Sequence, residues 1–363
     1  MENAFAQRLM DWYHANSRPL PWRESNDPYL IWLSEIILQQ TRVDQGLPYF
    51  ERFRHQFPTV RHLAEATEED VMKCWQGLGY YSRARNLHKT AKTVAYEHGG
   101  IFPDSYTGLL KLKGIGPYTA AAIASIAYGE AVPVVDGNVY RFISRYLAID
   151  MPIGSPAAQR YFSEILLNYI PKGQASKFNQ ALMEFGALQC TPRNPLCETC
   201  PFRTDCTAYR QDQIDRFPVK GSKTKVKEVF YHFIVLEKGE KLWLTQRDDS
   251  GLWKKLWHFP MLETENELTE VEVLHWVISS FQLKEHQLIH KGKWKTLHLL
   301  SHRKIQARFW QFACSGTPDK KGIFEIDRQD IDTYALPQIM VKYLRRDNSS
   351  INTREERADD LSF

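Results

Sequence analysis

An acidic residue, Glu35, lies inside the apolar segment Pro28–Gln40. The spacing of the apolar residues predicts a helix there, in which Ile31 and Leu38 lie about one turn from Glu35. A carboxyl group against apolar surface has a raised pKa and can stay protonated near neutral pH. Such a group can act as a general acid. The alternative is an ordinary glutamate on a narrow solvated stripe with Ser34 and Gln39.

A second acidic residue, Asp136, follows the apolar run Val132–Val135 and precedes a helix predicted at Val139–Leu147. Taken alone, an aspartate at this place is expected to be an N-cap, which accepts hydrogen bonds from the first N–H groups of the helix. The functional alternative is an ionised carboxylate that stabilises a nearby positive charge.

Two carboxylates in different environments suit the cleavage of an N-glycosidic bond. The base must be protonated so that it leaves as a neutral molecule, and the sugar left behind is cationic. Glu35 would be the general acid and later the base toward water, whereas Asp136 would stay ionised beside the oxocarbenium centre. The two roles require opposite protonation states.

Four of the six cysteines are crowded into one segment, at Cys190, Cys197, Cys200 and Cys206. This C-x6-C-x2-C-x5-C spacing lets one compact loop wrap four thiolates around a single metal centre, as expected in a reducing compartment. Four thiolates suit tetrahedral zinc as well as an iron–sulphur cluster, so the spacing alone leaves the metal open.

The segment Leu112–Ala120 places Gly114 and Gly116 in a tight turn before an alanine-rich helix that runs to about Tyr128. Glycines allow close approach to the backbone, and the exposed N–H groups at the helix start can bind a DNA phosphate without reading the base sequence. A Gly-x-Gly turn is also a common way to reverse the chain between two helices, so this signal is weak by itself.

The 363 residues predict two domains, with helical periodicity in the first part and strands in the second. We predict an all-helical catalytic domain at 1–216, a linker at 217–227, an α+β domain at 228–345 and a disordered tail at 346–363. Helices are expected at Phe5–His14, Phe178–Ala187 and Val271–Phe281, and strands at Val229–Leu236, Leu242–Gln246, Lys295–Leu300 and Lys304–Ala313.

Composition and charge narrow the class of protein without deciding its function. Hydrophobic residues make up 43% and charged residues 25%, which is ordinary for a globular chain. A formal net charge of +4 permits a polyanionic partner. It is smaller than the net charge expected of a protein that binds DNA by electrostatic attraction alone. No apolar stretch is long enough to span a membrane, so we expect a cytoplasmic protein.

Together these motifs resemble bacterial A/G-specific adenine DNA glycosylases of the helix-hairpin-helix, iron–sulphur superfamily. The resemblance covers nearly all of the first 210 residues and rests on the hairpin, the cysteine loop, Pro21–Arg23, Leu38–Thr41, Gly77–Tyr81 and Val135–Arg141. It implies a 4Fe-4S cluster on the four cysteines. It also implies a monomer that acts on double-stranded DNA and excises adenine paired with 8-oxoguanine or guanine.

Carried over residue by residue, the resemblance implies that Glu35 is the proton donor and Asp136 the transition-state stabiliser, with Tyr118 and Asn138 assisting them. It further implies that Gln40 and Tyr80 insert around the extruded base. Relatives of the endonuclease III type have a lysine nucleophile where this chain has Tyr118. The tyrosine therefore indicates a monofunctional glycosylase.

The second domain resembles the pyrophosphatase-like (Nudix-like) lesion-reading module of the same family, through Gly251–Pro260 and the later Leu300–His302. In that family the pair matching Ser301 and His302 lies near the oxidised guanine. This chain has Leu300 where the family usually has phenylalanine, which weakens the expected stacking. The alternative is that Ser301 and His302 are ordinary turn residues. No Arg-Glu-x-x-Glu-Glu helix follows Pro260 to hold magnesium, so pyrophosphatase activity is not expected.

Two rival functions remain open from the sequence. One is a glycosylase of the same fold with another target, such as an oxidised pyrimidine or a mismatched thymine. The other is a cluster-bearing DNA-binding protein in which Glu35 and Asp136 are merely structural. A Glu35→Gln variant would separate the second rival from a glycosylase, because a binding protein would be indifferent to the change.

Overall fold

A computed structural model describes residues 2–221, 226–249, 251–300 and 302–346 of the chain. The chain divides into two compact units, one formed by Met1–Ala66 and Ser82–Ser222, the other by Thr67–Tyr81 and Lys223–Phe363. Ser301 and most of the predicted tail, residues 347–363, lie outside the described residues. No helix in the described ranges is both long and apolar enough to cross a membrane.

The first unit is helical, as the sequence predicts. Several of its helices start at a side-chain N-cap. In one of them Asp27 accepts from Tyr29 N, and Pro28 occupies the first helical position. Its helices are α1 Glu2–Asn16, α2 Pro28–Leu38, α3 Val43–Gln56, α4 Val60–Glu65, α6 Ser82–Glu97, α7 Tyr106–Leu109, α8 Pro117–Tyr128, α9 Gly137–Leu147, α10 Pro156–Leu167, α11 Ala175–Leu188 and α12 Thr207–Arg210, while α5 Glu68–Trp75 groups with the second unit.

An aromatic core joins α1, α9, α11 and the cysteine loop. Phe5, Phe142, Phe185 and Phe202 are each at most 3% exposed, and their rings lie 4.4 to 5.9 Å apart in the pairs that touch. Such ring contacts contribute beyond the apolar area that they bury. Because Phe202 belongs to the loop that carries the cysteines, that loop is anchored in the core of the unit.

Helices α9 and α11 approach each other closely at Gly186. A Cβ atom at this position would lie only 2.6 Å from the carbonyl oxygen of Asn138. Only glycine allows this separation, since real Cβ atoms do not come so near to backbone oxygen. The start of α9, which carries two of the predicted site residues, is thus held against α11.

The second unit is a mixed sheet with a helix packed on it, which confirms the predicted α+β fold. The strand order is β3-β2-β1-β6-β5, with β4 also paired to β1 and β7 to β2, and β1 and β6 are parallel. Val273, Val277 and Phe281 of α13 pack on the sheet. The elements are β1 Lys227–Lys238, β2 Lys241–Gln246, β3 Trp257–His258, β4 Met261–Thr264, α13 Glu270–Phe281, β5 Leu288–Leu299, β6 Arg303–Cys314 and β7 Ile323–Asp327.

The structure differs from the sequence predictions at several boundaries. Helix α2 ends at Leu38 rather than Gln40, whose φ of +55° is left-handed. Arg83 Nη1 binds the carbonyl oxygens of Ile36, Ile37 and Gln39 at 2.6 to 3.0 Å and so satisfies the end of the helix. Strand β5 is longer than predicted, because pairing with β6 extends it through a bulge near Gly292.

The sequence does not predict that Thr67–Tyr81 groups with the second unit. One contact behind it is the Tyr81 hydroxyl, which donates to the Leu336 carbonyl at 3.0 Å. The linker at 217–227 and the other boundaries inferred from the sequence stay predictions.

Candidate active site

A cavity of about 410 Å³ in the first unit brings four predicted site residues together. Glu35 comes from α2, Tyr118 from the first turn of α8, Asp136 from the N-cap of α9 and Asn138 from its first turn. These residues are separated by up to about a hundred positions in the chain, and only helix packing makes them neighbours. A cavity of this size can enclose a nucleobase.

Glu35 lies in the wall of this cavity and is 8% exposed. Burial raises the pKa of its carboxyl to about 7, although a hydrogen bond from the Tyr118 hydroxyl and the charge of Arg23 act in the opposite direction. Ser34, at 1% exposed, donates to the Ile31 carbonyl instead of facing solvent. The solvated-stripe alternative therefore does not describe this helix.

Asp136 is both an N-cap and a member of the cavity wall. Its Oδ1 accepts from Val139 N at 2.7 Å, and its Oδ2 accepts from Asn138 Nδ2 at 2.8 Å. The pKa of Asp136 is raised above its ordinary value, because burial outweighs the hydrogen bonds from Val139 and Asn138 that act in the opposite direction. Asp136 thus has the donors that stabilise a carboxylate, whereas Glu35 receives one hydroxyl.

Tyr118 donates its hydroxyl to Glu35 Oε2 and lies 3.7 Å from the sulphur of Met183. Burial, together with the charges of Glu35 and Asp136, holds the pKa of the phenol well above its usual value. The hydroxyl therefore keeps its proton and serves as a donor at neutral pH.

A third carboxylate in the cavity wall belongs to Glu184, which is not among the site residues predicted from the sequence. Arg18 and Arg23 both bind it in two-point fashion, with N–O distances of 2.7 to 3.0 Å. Burial works to raise the pKa of Glu184, but hydrogen bonds from the two arginines lower it to about 2. The sequence contains one signal that could have predicted this site residue: Glu184 is the lone acid in the apolar segment Phe178–Ala187.

The four cysteines line one small cavity behind the aromatic core. Burial and the nearness of the other three thiols raise the pKa of Cys200 to about 12, so the thiolate form needs a compensating positive charge such as a metal centre. Within the described ranges no three His, Cys, Asp or Glu side chains converge as ligands of a single ion; the four thiols instead share the wall of this cavity.

Two arginines of α9 hold the cysteine loop. Arg145 donates to the Thr191 carbonyl at 2.7 Å and lies 3.5 Å from the sulphur of Cys190. Arg141 donates to the Cys190 carbonyl at 2.7 Å and to Asn138 Oδ1 at 2.8 Å. Helix α9 therefore carries Asp136 at its start and binds the cysteine loop along its length.

The 410 Å³ cavity is not lined by Gln40, Gly114 or Gly116, the DNA-contacting residues predicted in the first unit. Gly114 has a φ of +87°, and Gly116 is the N-cap of α8 with open space around its Cα. Gln40 and Tyr80 both have left-handed backbone conformations, and Tyr80 is 43% exposed.

His302, of the predicted lesion-side pair, lies between β5 and β6. The backbone carbonyl of the exposed His302 accepts from Lys227 N at 3.1 Å. Its neighbour Ser301 lies outside the described residues.

Residues 33–166 match the family described as HhH-GPD superfamily base excision DNA repair protein. An adenine DNA glycosylase of Buchnera aphidicola (subsp. Schizaphis graminum) is 34% identical over 347 residues, covering 94% of this chain and 97% of that relative. The human adenine DNA glycosylase is 32% identical and covers 94% of this chain and 73% of its own length. The chain belongs to the adenine DNA glycosylase family.

Other comparisons agree with this family on both sides of the chain. In this adenine DNA glycosylase family member, residues 190–206 match the iron–sulphur binding domain of endonuclease III, and residues 231–346 match the NUDIX domain. The chain therefore carries a 4Fe-4S cluster, and zinc is no longer an alternative. A solved thermostable thymine-DNA glycosylase shares 27% identity and a TM-score of 0.53, covering 58% of this chain and 97% of its own.

Proposed function

We propose that this enzyme excises adenine paired with 8-oxoguanine or guanine in double-stranded DNA, by hydrolysis and without a lyase step. The observation that carries the proposal is the pair of buried carboxyl groups in one cavity, Glu35 with a pKa of about 7 and Asp136 with two hydrogen-bond donors. The membership of the family supports adenine as the base that leaves.

In this mechanism Glu35 protonates the extruded adenine, and the bond between base and sugar breaks as the base leaves. Asp136 stays ionised, because Val139 N and Asn138 Nδ2 donate to it, and stabilises the oxocarbenium ion. Glu35, now deprotonated, accepts a proton from the water that attacks the sugar. Tyr118 fixes the Glu35 carboxyl in place through its hydroxyl.

The absence of a lyase step rests on position 118. Endonuclease III-type relatives have a lysine there, which attacks the sugar as an amine, whereas the Tyr118 phenol keeps its proton. Arginines line the described cavity, but no lysine does. An arginine guanidinium stays protonated and is not a nucleophile. The nucleophile is then water, and the product is an intact strand with an abasic site.

The remaining contacts belong to the DNA around the extruded base. We place a DNA phosphate at the turn of Gly114 and Gly116, where α8 begins and backbone N–H groups are exposed. Gln40 and Tyr80 insert into the duplex, and Ser301 with His302 contacts the strand that carries the oxidised guanine. We assign the cluster to the four clustered cysteines, whose spacing suits one metal centre in a reducing compartment, and propose that the enzyme works as a monomer in the cytoplasm.

The test is a single-turnover assay on duplexes with adenine opposite 8-oxoguanine, adenine opposite guanine, or thymine opposite guanine, each read with and without alkali. We expect adenine release, with strand breaks only after alkali, and no activity in Glu35→Gln. Strand cleavage without alkali would contradict the hydrolytic mechanism. Faster release of thymine would instead favour the activity named for the thymine-DNA glycosylase of similar structure.

A further inference from the structure

The segment Thr67–Tyr81 lies between α4 and α6 in the chain, yet it belongs to the second unit. It consists of α5 and the turn that leads to Tyr80, the residue that we place in the duplex around the extruded base. His302, which we place on the strand with the oxidised guanine, belongs to the same unit. One structural unit therefore carries both the inserting tyrosine and a residue on the lesion side.

The turn that carries Tyr80 has a constrained backbone. Gly77, Gly79 and Tyr80 have φ values of +104°, +73° and +48°, all in the left-handed region. A bulky residue such as tyrosine adopts this region only where its surroundings hold it there. Trp75, whose side chain is fully buried, donates from Nε1 to the Gly79 carbonyl at 2.9 Å. The end of α5 thus holds the backbone from which the exposed side chain of Tyr80 projects.

Tyr81 joins this turn to a segment that is bound to the sheet. Its side chain is 5% exposed, and its hydroxyl donates to the Leu336 carbonyl at 3.0 Å. Leu336 is fully buried, and the carbonyl of its neighbour Ala335 accepts from Trp257 N of β3, also at 3.0 Å. Tyr81 and β3 therefore bind two adjacent carbonyl groups. Through them the residue next to Tyr80 is linked to the Nudix-like sheet.

We propose that Tyr81 is a positioning residue that couples the insertion of Tyr80 to the reading of the oxidised guanine. The inference rests on the proposed function, in which Tyr80 enters the duplex and His302 contacts the lesion strand. A rigid link between two contacts lowers the ordering cost of making both, so it strengthens binding where both are made. Unmodified guanine lacks the 8-oxo group and offers no lesion contact. The Tyr81 hydroxyl therefore raises the preference for 8-oxoguanine without touching the DNA.

The test measures the Kd of the full-length, cluster-loaded protein for duplexes with 2′-fluoro-2′-deoxyadenosine, which resists excision, opposite 8-oxoguanine or guanine. Tyr81→Phe should weaken binding of the 8-oxoguanine duplex about fivefold, the effect of one buried hydrogen bond, and binding of the guanine duplex less than about twofold. The control Tyr128→Phe removes a hydroxyl of the first unit that donates to the Phe102 carbonyl, also at 3.0 Å. It should leave both Kd values unchanged.

A double-mutant cycle shows whether Tyr81 acts through Tyr80. Tyr80→Ala should weaken binding of the 8-oxoguanine duplex, and adding Tyr81→Phe to it should have no further effect. Unchanged binding in Tyr81→Phe, equal losses on the two duplexes, or a loss that persists in the Tyr80→Ala background would overturn the proposal. If the unaltered protein does not distinguish the two duplexes, or Tyr80→Ala binds them equally well, the DNA contacts of the proposed function are themselves wrong, and the inference fails with them.

Discussion

The carboxyl groups in the active-site cavity differ in the hydrogen-bond donors that contact them. Glu35 receives a single hydroxyl and has a raised pKa, whereas Glu184 receives two arginines and has a pKa of about 2. Asp136 accepts from an amide and a backbone N–H, and burial raises its pKa above the ordinary value. Three carboxyl groups in one cavity thus have different affinities for a proton because their hydrogen-bond partners differ.

The first prediction concerns Glu35→Gln. Excision of adenine should fall by a factor of about 100 or more, since general acid catalysis is lost. Stability should change in the opposite direction. A glutamate whose folded pKa lies above its unfolded pKa destabilises the fold as pH rises from about 4.5 to 7, and this penalty stays in place above pH 7.

Glutamine has no such penalty, so Glu35→Gln should be more stable at pH 8 by up to roughly 3 kcal/mol and unchanged at pH 4. Denaturant unfolding of the first unit at the two pH values measures this difference. Glu24→Gln, at an exposed position, is the control and should show neither effect. A destabilised Glu35→Gln protein at pH 8 would show that Glu35 contributes to the fold as an ion.

The second prediction concerns the pH dependence of excision. The rate should fall as pH rises through about 7, because the acid form of Glu35 is lost. The hydrogen bond from Tyr118 lowers the Glu35 pKa, so Tyr118→Phe should move this alkaline limb to higher pH. Single-turnover rates from pH 5 to 9 test the shift, with Tyr96→Phe, a change at an exposed position, as control. An alkaline limb at the same pH in Tyr118→Phe would show that the Tyr118 hydroxyl does not influence the pKa of Glu35.

At the level of secondary structure, the site depends on the packing of α2, α8, α9 and α11. Helix α9 presents Asp136 at its N-terminus, is held against α11 at Gly186, and binds the cysteine loop through Arg141 and Arg145. The position of the carboxylate is therefore set by contacts at both ends of its helix. Small displacements of α9 should affect catalysis more than binding of DNA.

The third prediction is that Gly186→Ala lowers both stability and excision. The new Cβ would lie 2.6 Å from the Asn138 carbonyl oxygen, so the start of α9 must move away from α11. Overpacking of this kind costs roughly 1 to 3 kcal/mol. Thermal unfolding and single-turnover rates measure the two effects, and Gly292→Ala, where a Cβ meets open space, is the matched control. Full activity in Gly186→Ala would mean that α9 tolerates the shift.

At the scale of the whole molecule, the chain has two units with separate cores. The first core is aromatic and includes Phe202 of the cysteine loop, while the second joins the sheet to α13. A cluster that holds the loop by four thiolates should stabilise the first core directly, because the loop contributes side chains to it. We expect no such stabilisation of the second core by the cluster.

The fourth prediction follows from that separation. Replacing Cys200 by alanine should remove the cluster and lower the hydrogen-exchange protection of α1, α9 and α11, while β1 and β6 keep theirs. Exchange measured by mass spectrometry, peptide by peptide, distinguishes the two units. Cys74→Ala, which lies outside the loop, should leave the cluster absorbance intact. Equal loss of protection in both units would show that they unfold together.

Features that depend on local spacing can be predicted from the sequence. Four cysteines within one loop predict their common metal centre, and the apolar run around Glu35 predicts its burial, because both depend on residues a few positions apart. The same holds for the longer helices and strands. Strands β3, β4 and β7 were missed, since they are short and exist through pairing with β1 and β2.

Which side chains meet depends on helix packing and cannot be predicted from local spacing. Glu35 and its donor Tyr118 are 83 positions apart, and Arg18 and Glu184 are 166 apart, so no local pattern links them. The end of α2 at Leu38 likewise depends on Arg83, a residue of another helix. Spacing along the chain sets each helix face, but the packing of all the helices sets which faces meet, and the proton affinity of each carboxyl follows from that packing.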